Sequence, residues 1–203
     1  MSLREYQRKR RFGVTPEPPG QPGPAARRTG RLRYVIHQHQ ARQLHYDLRL
    51  EWNGVLLSWA VPKGPSPDPA VKRLAVRVED HPVDYAAFEG MIPEGEYGAG
   101  TVLVWDRGTW APDDEDVDAA LRRGELKFTL HGTKLKGSWV LVRTRSGYGG
   151  SSGRPAWLLI KHRDAYASDR ELTASMPRSV ISKRTLAEIT KANKASVERA
   201  RAH

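Results

Sequence analysis

The sequence lacks cysteine entirely, and it contains no long apolar run. Without cysteine there are no disulfide bonds and no thiolate metal ligands, so a bound metal would depend on histidine, carboxylate and water. No apolar stretch approaches the ~20 residues that cross a bilayer, and the basic N-terminus has no apolar signal region. We therefore expect a cytoplasmic protein that does not insert into a membrane.

Acidic residues are scarce relative to basic ones. The 203-residue chain has 34 lysines and arginines against 23 aspartates and glutamates, which gives a net charge of +11. Such an excess favours a polyanionic partner, either nucleic acid or an anionic membrane surface, and charge alone does not distinguish the two. The length is that of one domain with tails, long enough to bury a core.

Composition divides the chain into three segments. Residues 1–31 form a basic arm rich in proline and glycine, residues 32–166 a domain of short strands, and residues 167–203 a basic, helix-prone tail or linker. The arm is either disordered, or it crosses the domain and brings Arg10 or Glu17 to a site. Within the domain, a glycine- and serine-rich loop at 146–155 is predicted to be mobile.

The many short strands joined by tight turns, with few helices, predict a mainly β protein. A closed antiparallel β-barrel with a few flanking short helices fits best, and a sandwich is the alternative. We predict strands at residues 32–36, 44–52, 55–61, 74–81, 101–105, 108–110, 125–131, 134–145 and 157–162, and helices at 113–123 and 185–202. In the fourth strand, alternation predicts that Leu74, Val76 and Val78 face inward and that Glu79 and His81 lie on the opposite face.

The most informative pattern lies in residues 44–52. Alternate residues of a strand share a face, so His45, Asp47 and Arg49 form one row opposite an apolar face. The following Asn53-Gly54 dipeptide suits a two-residue type I′ turn, which makes the segment a β-hairpin. A row of imidazole, carboxylate and guanidinium is unusual for a simple solvated strand and indicates a site.

These side chains have the chemistry of a metal centre for a phosphate substrate. His39, His45 and Asp47 form a set of two histidines and one carboxylate, which suits Mn, Fe, Co or Zn and leaves open positions. Mn(II) or Zn(II) in such a set fits metal-assisted hydrolysis. Arg49, whose planar fork matches phosphate, and Lys63 favour a phosphate over an organic acid.

Two other functions remain open on the same residues. His45 and Asp47 with the distant His81 would satisfy the facial triad of a non-haem iron oxygenase. A non-catalytic nucleic-acid-binding barrel, with incidental histidines, is the second alternative, and Tyr85 or Trp52 could stack on bases there. The alternation places Trp52 on the apolar face, which favours a core position for it.

Two long motifs carry a resemblance to a known family. The runs are H-Q-A-R-Q-L-H-Y-D-L-R-L-E-W-N-G-V-L-L-S-W-A-V-P-K-G-P and E-D-H-P-V-D-Y-A-A-F-E-G-M-I-P-E-G-E-Y-G-A-G. Together they strongly resemble the DNA 3′-phosphoesterase family, which occurs within bacterial ligase D and as standalone proteins. The resemblance covers about residues 3–162. The opening R-E-Y-Q-R-K-R-R-F also resembles the family's arm, and P-R-S-V-I-S-K-R-T-L-A-E-I resembles the linker of the fused ligases.

The resemblance implies a barrel-fold, Mn²⁺-dependent 3′-phosphoesterase, with Zn²⁺ or Co²⁺ as alternative cofactors. Such an enzyme removes a 3′-terminal ribonucleoside and then the remaining 3′-phosphate, leaving a 3′-OH for repair and non-homologous end joining. The implied partners are DNA 3′ ends at primer–templates or double-strand breaks, together with a DNA ligase and an end-binding protein. We expect a monomer in the cytoplasm, associated with the nucleoid.

The resemblance also assigns roles to individual residues. His39, His45 and Asp47 match the family's metal ligands, and Arg49 and His81 match its phosphate-binding pair. Further active-site and arm positions are matched by Lys63, Glu79, Tyr85, Arg73, Glu17 and Arg10. In the mechanism that we expect, Arg49 grips two phosphate oxygens, and His81, if it is protonated, donates to the phosphate and to the leaving oxygen.

The sequence departs from the family at two positions. His37 stands where the family commonly has glutamine, and Arg11 stands where the arm usually has aspartate. These departures put the metal preference, and one of the two hydrolytic steps, in question. The chain has no K-x-D-G lysine nucleophile motif, so it is not itself a ligase.

Overall fold

The computed structural model of the protein describes residues 3–20, 31–145 and 156–201; the predicted loop at 146–155 lies outside them. The strands are β1 Leu32–Gln40, β2 Leu44–Trp52, β3 Val55–Val61, β4 Lys72–Arg77, β5 His81–Pro82, β6 Gly90–Ile92, β7 Gly100–Pro112, β8 Glu125–Gly132, β9 Lys136–Arg143 and β10 Ala156–Lys161. The helices are α1 Arg4–Arg8, α2 Val117–Arg123, α3 Leu172–Ser175 and α4 Leu186–Arg201, with a 3₁₀ helix at Val83–Ala87. In the described part of the chain, no helix is long and apolar enough to cross a membrane.

Eight of the strands close into an antiparallel barrel. Their order is β1-β2-β3-β4-β10-β9-β8-β7, and β7 pairs with β1 to complete the ring. The short β5 and β6 pair with β3 and β7 respectively, off this ring. Closure removes the exposed sheet edges that an open sheet would carry. The predicted mainly β fold, a closed antiparallel barrel with a few short helices, is confirmed.

The β2–β3 hairpin forms at the predicted dipeptide. Asn53 and Gly54 have φ of 48° and 77°, the left-handed values that a type I′ turn requires at both central positions. Trp52 then pairs with Val55, and this register carries through the hairpin. The turn therefore fixes which residues of β2 face inward.

The two short strands predicted at 101–105 and 108–110 are instead one strand, the 13-residue β7. Gly108 is not a turn residue; it pairs with both Tyr34 of β1 and Gly132 of β8. A Cβ atom at Gly108 would lie 2.1 Å from the carbonyl oxygen of His131. Glycine at this position thus permits the neighbouring backbones to approach closely, which is one of the reasons for a glycine inside a strand.

The inward alternation predicted for Leu74, Val76 and Val78 is wrong. β4 ends at Arg77, and the residue that it contributes to the barrel core is Ala75, which pairs with Trp157 of β10. Val78 lines a cavity on the outer surface instead. The large ring of Trp157 fills the interior at this level, so a small side chain fits beside it.

Two buried clusters lie on opposite faces of the same sheet. The larger fills the barrel and is rich in aromatic residues, among them Trp59, Trp105, Trp139 and Phe128. The smaller lies on the outer face and contains Tyr6, Val35, Leu56, Tyr85 and Val104. Because Tyr6 belongs to α1, the arm does cross the domain, as one of the two sequence interpretations predicts.

The C-terminal helices also pack on the barrel. Ile189 of α4 is buried in the main cluster, and the Nε1–H of Trp105 donates to the carbonyl of Met176 at 2.9 Å. The backbone N–H of Val180 donates to the carbonyl of Val104 at 3.0 Å. The helix predicted at 185–202 is present as α4, and the segment before it is docked against β7.

Candidate active site

The outer face of β1 and β2 gathers the polar residues that the sequence alternation singled out. In the antiparallel register His39 pairs with His45, His37 with Asp47, and Val35 with Arg49. Since cross-strand partners point to the same side of a sheet, the predicted polar row on β2 and a second row on β1 share one surface. The apolar residues between them point into the barrel.

Three of these side chains form a potential metal-binding group. His39, His45 and Asp47 each offer a ligand atom, and these atoms lie within 4.8 Å of one another. The Nε2 atom of His45 lies 3.7 Å from the carboxylate of Asp47. This is the set predicted from the sequence, and its nitrogen and oxygen donors suit a divalent transition metal.

Backbone carbonyls orient both imidazoles of this group. His39 Nε2 lies 2.9 Å from the carbonyl of Gly98, and His45 Nδ1 lies 3.1 Å from the carbonyl of Gln43. A carbonyl only accepts, so these nitrogens carry the hydrogens and the other nitrogen of each ring keeps its lone pair. Such a contact behind a histidine is the usual way in which a ligand tautomer is fixed.

The protonation states of His39 and Asp47 also suit the binding of a metal cation. Burial lowers the pKa of His39, which keeps the imidazole neutral as a ligand must be. Burial alone would raise the pKa of Asp47, but the Arg49 guanidinium and the nearby imidazoles outweigh it and hold that pKa below its usual range. The carboxylate is therefore ionised, and the imidazole of His39 beside it is neutral.

Arg49 is buried, and protein groups surround its guanidinium. Its Nε donates to His37 Nδ1 at 3.2 Å, and its Nη1 donates to the hydroxyl of Ser58 at 2.8 Å. Its Nη2 donates to Asp47 at 3.0 Å. These contacts fix the plane of the guanidinium at the cavity wall, and the predicted two-oxygen grip on a phosphate stays a prediction.

His81 lies between two guanidinium groups. Arg49 Nη1 is 2.8 Å from His81 Nδ1, and Arg10 Nη2 is 3.2 Å from His81 Nε2. Burial, together with the positive charges of Arg49 and Arg10, holds the pKa of His81 well below its usual value. The ring is therefore neutral in this environment, and proton donation by His81 to a substrate stays a prediction.

The N-terminal arm supplies Arg10 to the site. Its Nε donates to Glu17 at 2.9 Å, its Nη1 lies 3.4 Å from Glu79, and its guanidinium packs 3.8 Å from the Tyr6 ring centre. Glu17 is itself buried and accepts a hydrogen bond from Thr15 at 2.8 Å. The two glutamates therefore anchor Arg10, and of the two only Glu79 lines the cavity.

A cavity of about 200 Å³ lies in front of these groups. Its walls include the three potential metal ligands and both guanidinium groups. Tyr85 forms one side, with its ring centre 4.8 Å from that of His81, and burial raises its pKa well above the usual range, so the phenol is neutral. A small cavity that presents two guanidinium groups beside a metal-binding group suits a phosphoryl group.

The structure does not bring Lys63 and Arg73 to this cavity. Lys63 is exposed in the turn that follows β3. Arg73 is paired with Glu171 at 3.0 Å, in the segment that leads into α3. Neither side chain lines the cavity, so the active-site roles that the resemblance implies for them stay predictions.

Several contributors to the site were not singled out from the sequence. Ser58 is a lone hydroxyl in an otherwise apolar strand, and that break in the pattern could have indicated it. Tyr97 lies in the glycine-rich loop and lines the cavity. Gln43 and Gly98 act through their backbone carbonyls, which every residue type has.

Comparisons with known proteins show what the chain is similar to. Residues 37–143 match the family model of the DNA ligase D 3′-phosphoesterase domain. The chain is 54% identical over 187 residues to the multifunctional non-homologous end joining protein LigD of Pseudomonas aeruginosa, covering 91% of this chain and 22% of that protein. It is 47% identical over 143 residues to the corresponding DNA repair protein of Mycobacterium tuberculosis, covering 70% of this chain and 18% of that protein. The chain thus spans about a fifth of the length of these relatives.

Proposed function

The chain belongs to the DNA ligase D 3′-phosphoesterase family, and from this premise we propose that it is a metal-dependent hydrolase that processes DNA 3′ ends for end joining. The observation that supports this most directly is the group of His39, His45 and Asp47 beside two guanidinium groups in one small cavity. A metal and two fixed cations are the elements that phosphoryl transfer requires, since its catalysis is mostly positioning and charge stabilisation.

We propose two successive steps at this site. In the first, a 3′-terminal ribonucleoside is removed and a 3′-phosphate is left; in the second, that phosphate is hydrolysed to a 3′-OH. Mn²⁺ is the proposed cofactor, with Zn²⁺ or Co²⁺ as alternatives that the same donor set would accept. Asp47, His39 and His45 would hold the ion, and when bound it would withdraw charge from the phosphoryl group and activate water.

The protein's own cations bind and orient the substrate. Arg49 and Arg10 project from opposite sides of His81, so a phosphoryl group in the cavity lies near both positive charges. The incoming anion would oppose those charges and raise the pKa of His81, since an opposite charge favours the protonated ring. His81 would then donate a proton to the leaving oxygen only after substrate has bound.

The oxygenase alternative is less well supported by the geometry. Among the described residues, the group of three that could hold a metal is His39, His45 and Asp47. His81 has Arg10 at one ring nitrogen and Arg49 and the Glu79 carbonyl at the other. The triad of His45, Asp47 and His81 is therefore not assembled.

The proposed substrate is duplex DNA with a recessed or broken 3′ end. The net charge of +11 favours phosphate-backbone contacts, and we expect binding to weaken as salt rises because counterions are released on association. Recruitment of a DNA ligase and an end-binding protein, a monomeric state and a nucleoid-associated cytoplasmic location remain predictions.

The test is an assay on labelled primer strands annealed to a longer template. One strand ends in a ribonucleotide and the other in a 3′-phosphate, and both are incubated with Mn²⁺ or with a chelator. We expect the first strand to pass through a 3′-phosphate to a 3′-OH, and the chelator to stop both steps. Tight binding without turnover would support the non-catalytic module, and oxygen consumption with a 2-oxo acid would support the oxygenase.

A further inference from the structure

A second depression opens directly beside the cavity. This groove has a volume of about 670 Å³ and shares His45, Tyr97 and Gly98 with the cavity wall. Arg42, Gln43 and Glu96 line its other sides. Sites for small organic molecules usually measure roughly 300–1,000 Å³. The cavity of about 200 Å³ is therefore small for more than a phosphoryl group, whereas the groove has the size for a nucleoside.

Tyr97 is the aromatic side chain at the boundary between the two. Tyr97 is 41% exposed although it lines both the cavity and the groove. The Lys9 ammonium lies 4.7 Å from its ring centre, and the Arg10 guanidinium lies 5.6 Å away. Both cations lie over the ring, so a nucleobase would stack on ring surface that they leave exposed, whatever the base, while the cations attract the backbone.

The position of this ring is fixed relative to the potential metal ligands. The next residue, Gly98, accepts the hydrogen bond of His39, and its φ of +78° favours glycine there. The arm holds the same loop from the other side, through a hydrogen bond from Lys9 to the Tyr97 hydroxyl and an ion pair between Arg11 and Glu96. Arg11, the departure from the family pattern, thus supports this loop.

We propose that Tyr97 and the groove form the subsite for the 3′-terminal nucleoside, the part of the substrate that leaves in the first step. The inference rests on the proposed function. In that step the bond between phosphorus and the 5′-oxygen of the terminal nucleoside breaks, hydroxide from water joins phosphorus, and the 5′-oxygen gains a proton. The phosphate lies in the cavity, and the departing base stacks on Tyr97. In the second step no nucleoside remains to fill the groove.

The test compares Tyr97→Ala with wild type on three primer–templates. The strands end in a ribonucleotide, in the same ribose without its base, and in a 3′-phosphate. We expect Tyr97→Ala to slow ribonucleotide removal, through a raised KM, by about tenfold or more relative to its effect on the other two strands, as loss of one base–aromatic stack implies. Tyr97→Phe keeps the ring and should restore most of the difference.

The matched control is Tyr166→Ala, because Tyr166 is an exposed tyrosine outside the cavity and the groove. This variant should treat all three strands as wild type does. The subsite would be overturned if Tyr97→Ala lost activity equally on all three strands. It would also be overturned if the strand without a base lost as much activity as the ribonucleotide strand.

Failure of the proposed function would look different. In that case wild type would convert neither the ribonucleotide strand nor the 3′-phosphate strand. The subsite is then examined by fluorescence anisotropy with the same strands. Tighter binding of the base-containing end, lost in Tyr97→Ala, would support the subsite. Equal affinity for the two ends would overturn it.

Discussion

The two faces of β1 and β2 are both buried, but the inner face makes apolar contacts and the outer face makes polar and ionic ones. The inner face packs apolar and aromatic side chains against the barrel core. On the outer face Asp47 and Arg49 are buried beneath Glu79 and His81, which follow β4, and the charges and dipoles of these groups are satisfied by one another and by the arm. Apolar burial stabilises a fold by roughly 25 cal/mol per Å². Buried charges cost desolvation energy that their pairing only partly repays, so the outer face is better explained by chemistry than by stability.

Because the two faces alternate along a single strand, neighbouring residues of β2 should respond to mutation in different ways. A substitution on the outer face should mainly change activity, and one on the inner face should mainly change the free energy of unfolding. The following four predictions test that contrast, in order of decreasing effect.

His45→Ala should have the largest effect. It removes one of three potential metal ligands from a partly exposed position, so we expect both hydrolytic steps to fall by about 10³-fold, equivalent to several kcal/mol of lost stabilisation. The unfolding midpoint in urea should stay near that of wild type. His131→Ala, which changes an exposed histidine of β8, is the control. Full activity in His45→Ala would rule out this metal site.

Leu48→Ala, three residues further along β2, should show the reverse. Leu48 is 1% exposed inside the barrel, and its truncation should lower the free energy of unfolding by about 2–5 kcal/mol. Activity per folded molecule should change little, provided that the assay is run well below the unfolding temperature. Urea titration followed by tryptophan fluorescence measures the first quantity. A large loss of turnover with unchanged stability would contradict the separation of the two faces.

Arg49→Lys keeps the positive charge but removes the fork. One ammonium cannot replace the donors to His37, Ser58 and Asp47, so we expect activity to fall by about 100-fold. Arg33→Lys on β1 is the matched control, since the Arg33 side chain is largely exposed and its pairing with Glu51 lies apart from the cavity. A near-normal rate in Arg49→Lys would show that the planar geometry is not needed.

The smallest predicted effect is a dependence of stability on pH. The pKa of His81 in the folded protein lies well below 6.5 because of burial and the charges of Arg49 and Arg10, with Glu79 and Tyr85 also facing the ring. The unfolded chain therefore binds a proton below about pH 6.5 that the folded chain does not bind. Stability should be full well above pH 6.5 and should fall as the pH drops from about 6.5 to about 5.5.

Urea unfolding midpoints at several pH values, in the presence of a chelator, measure this dependence. In His81→Gln the unfolding midpoint should change less with pH over that range than in wild type, because one of the groups that take up a proton on unfolding is gone. Identical slopes would show that His81 does not titrate differently in the two states. His131→Gln, on the exposed side of β8, is the matched variant.

The hairpin and the metal-binding group could be predicted because local sequence determines them. Alternation in residues 44–52 sets the faces, and Asn53-Gly54 sets the turn, so the outward row on β2 follows from short-range rules. The addition of His39 to that row also depends on nearby chain, since its strand is joined to β2 by only a few residues. The spacing of the three potential metal ligands is therefore determined by a single stretch of about 20 residues.

Long-range packing decided the features that the sequence did not predict correctly. The turn predicted between residues 105 and 108 is absent, because Gly108 permits a close backbone approach to His131 that nothing local in the sequence reveals. Ala75 rather than Leu74 faces inward because Trp157, more than 80 positions later, occupies the space beside it. The lowered pKa of His81 likewise depends on burial, on Arg49 and on Arg10, and Arg10 lies 71 positions earlier in the chain.

The origin of Arg10 has a consequence for folding. The surface on which the arm docks combines β1, β3 and the 3₁₀ helix, and it exists only once the barrel has formed. Contacts between residues so distant in sequence are slow to form because loop closure must precede them. In refolding, the tryptophans of the barrel should therefore be buried before Arg10 reaches Glu79 and His81. Recovery of a working cavity would then lag behind recovery of the fold.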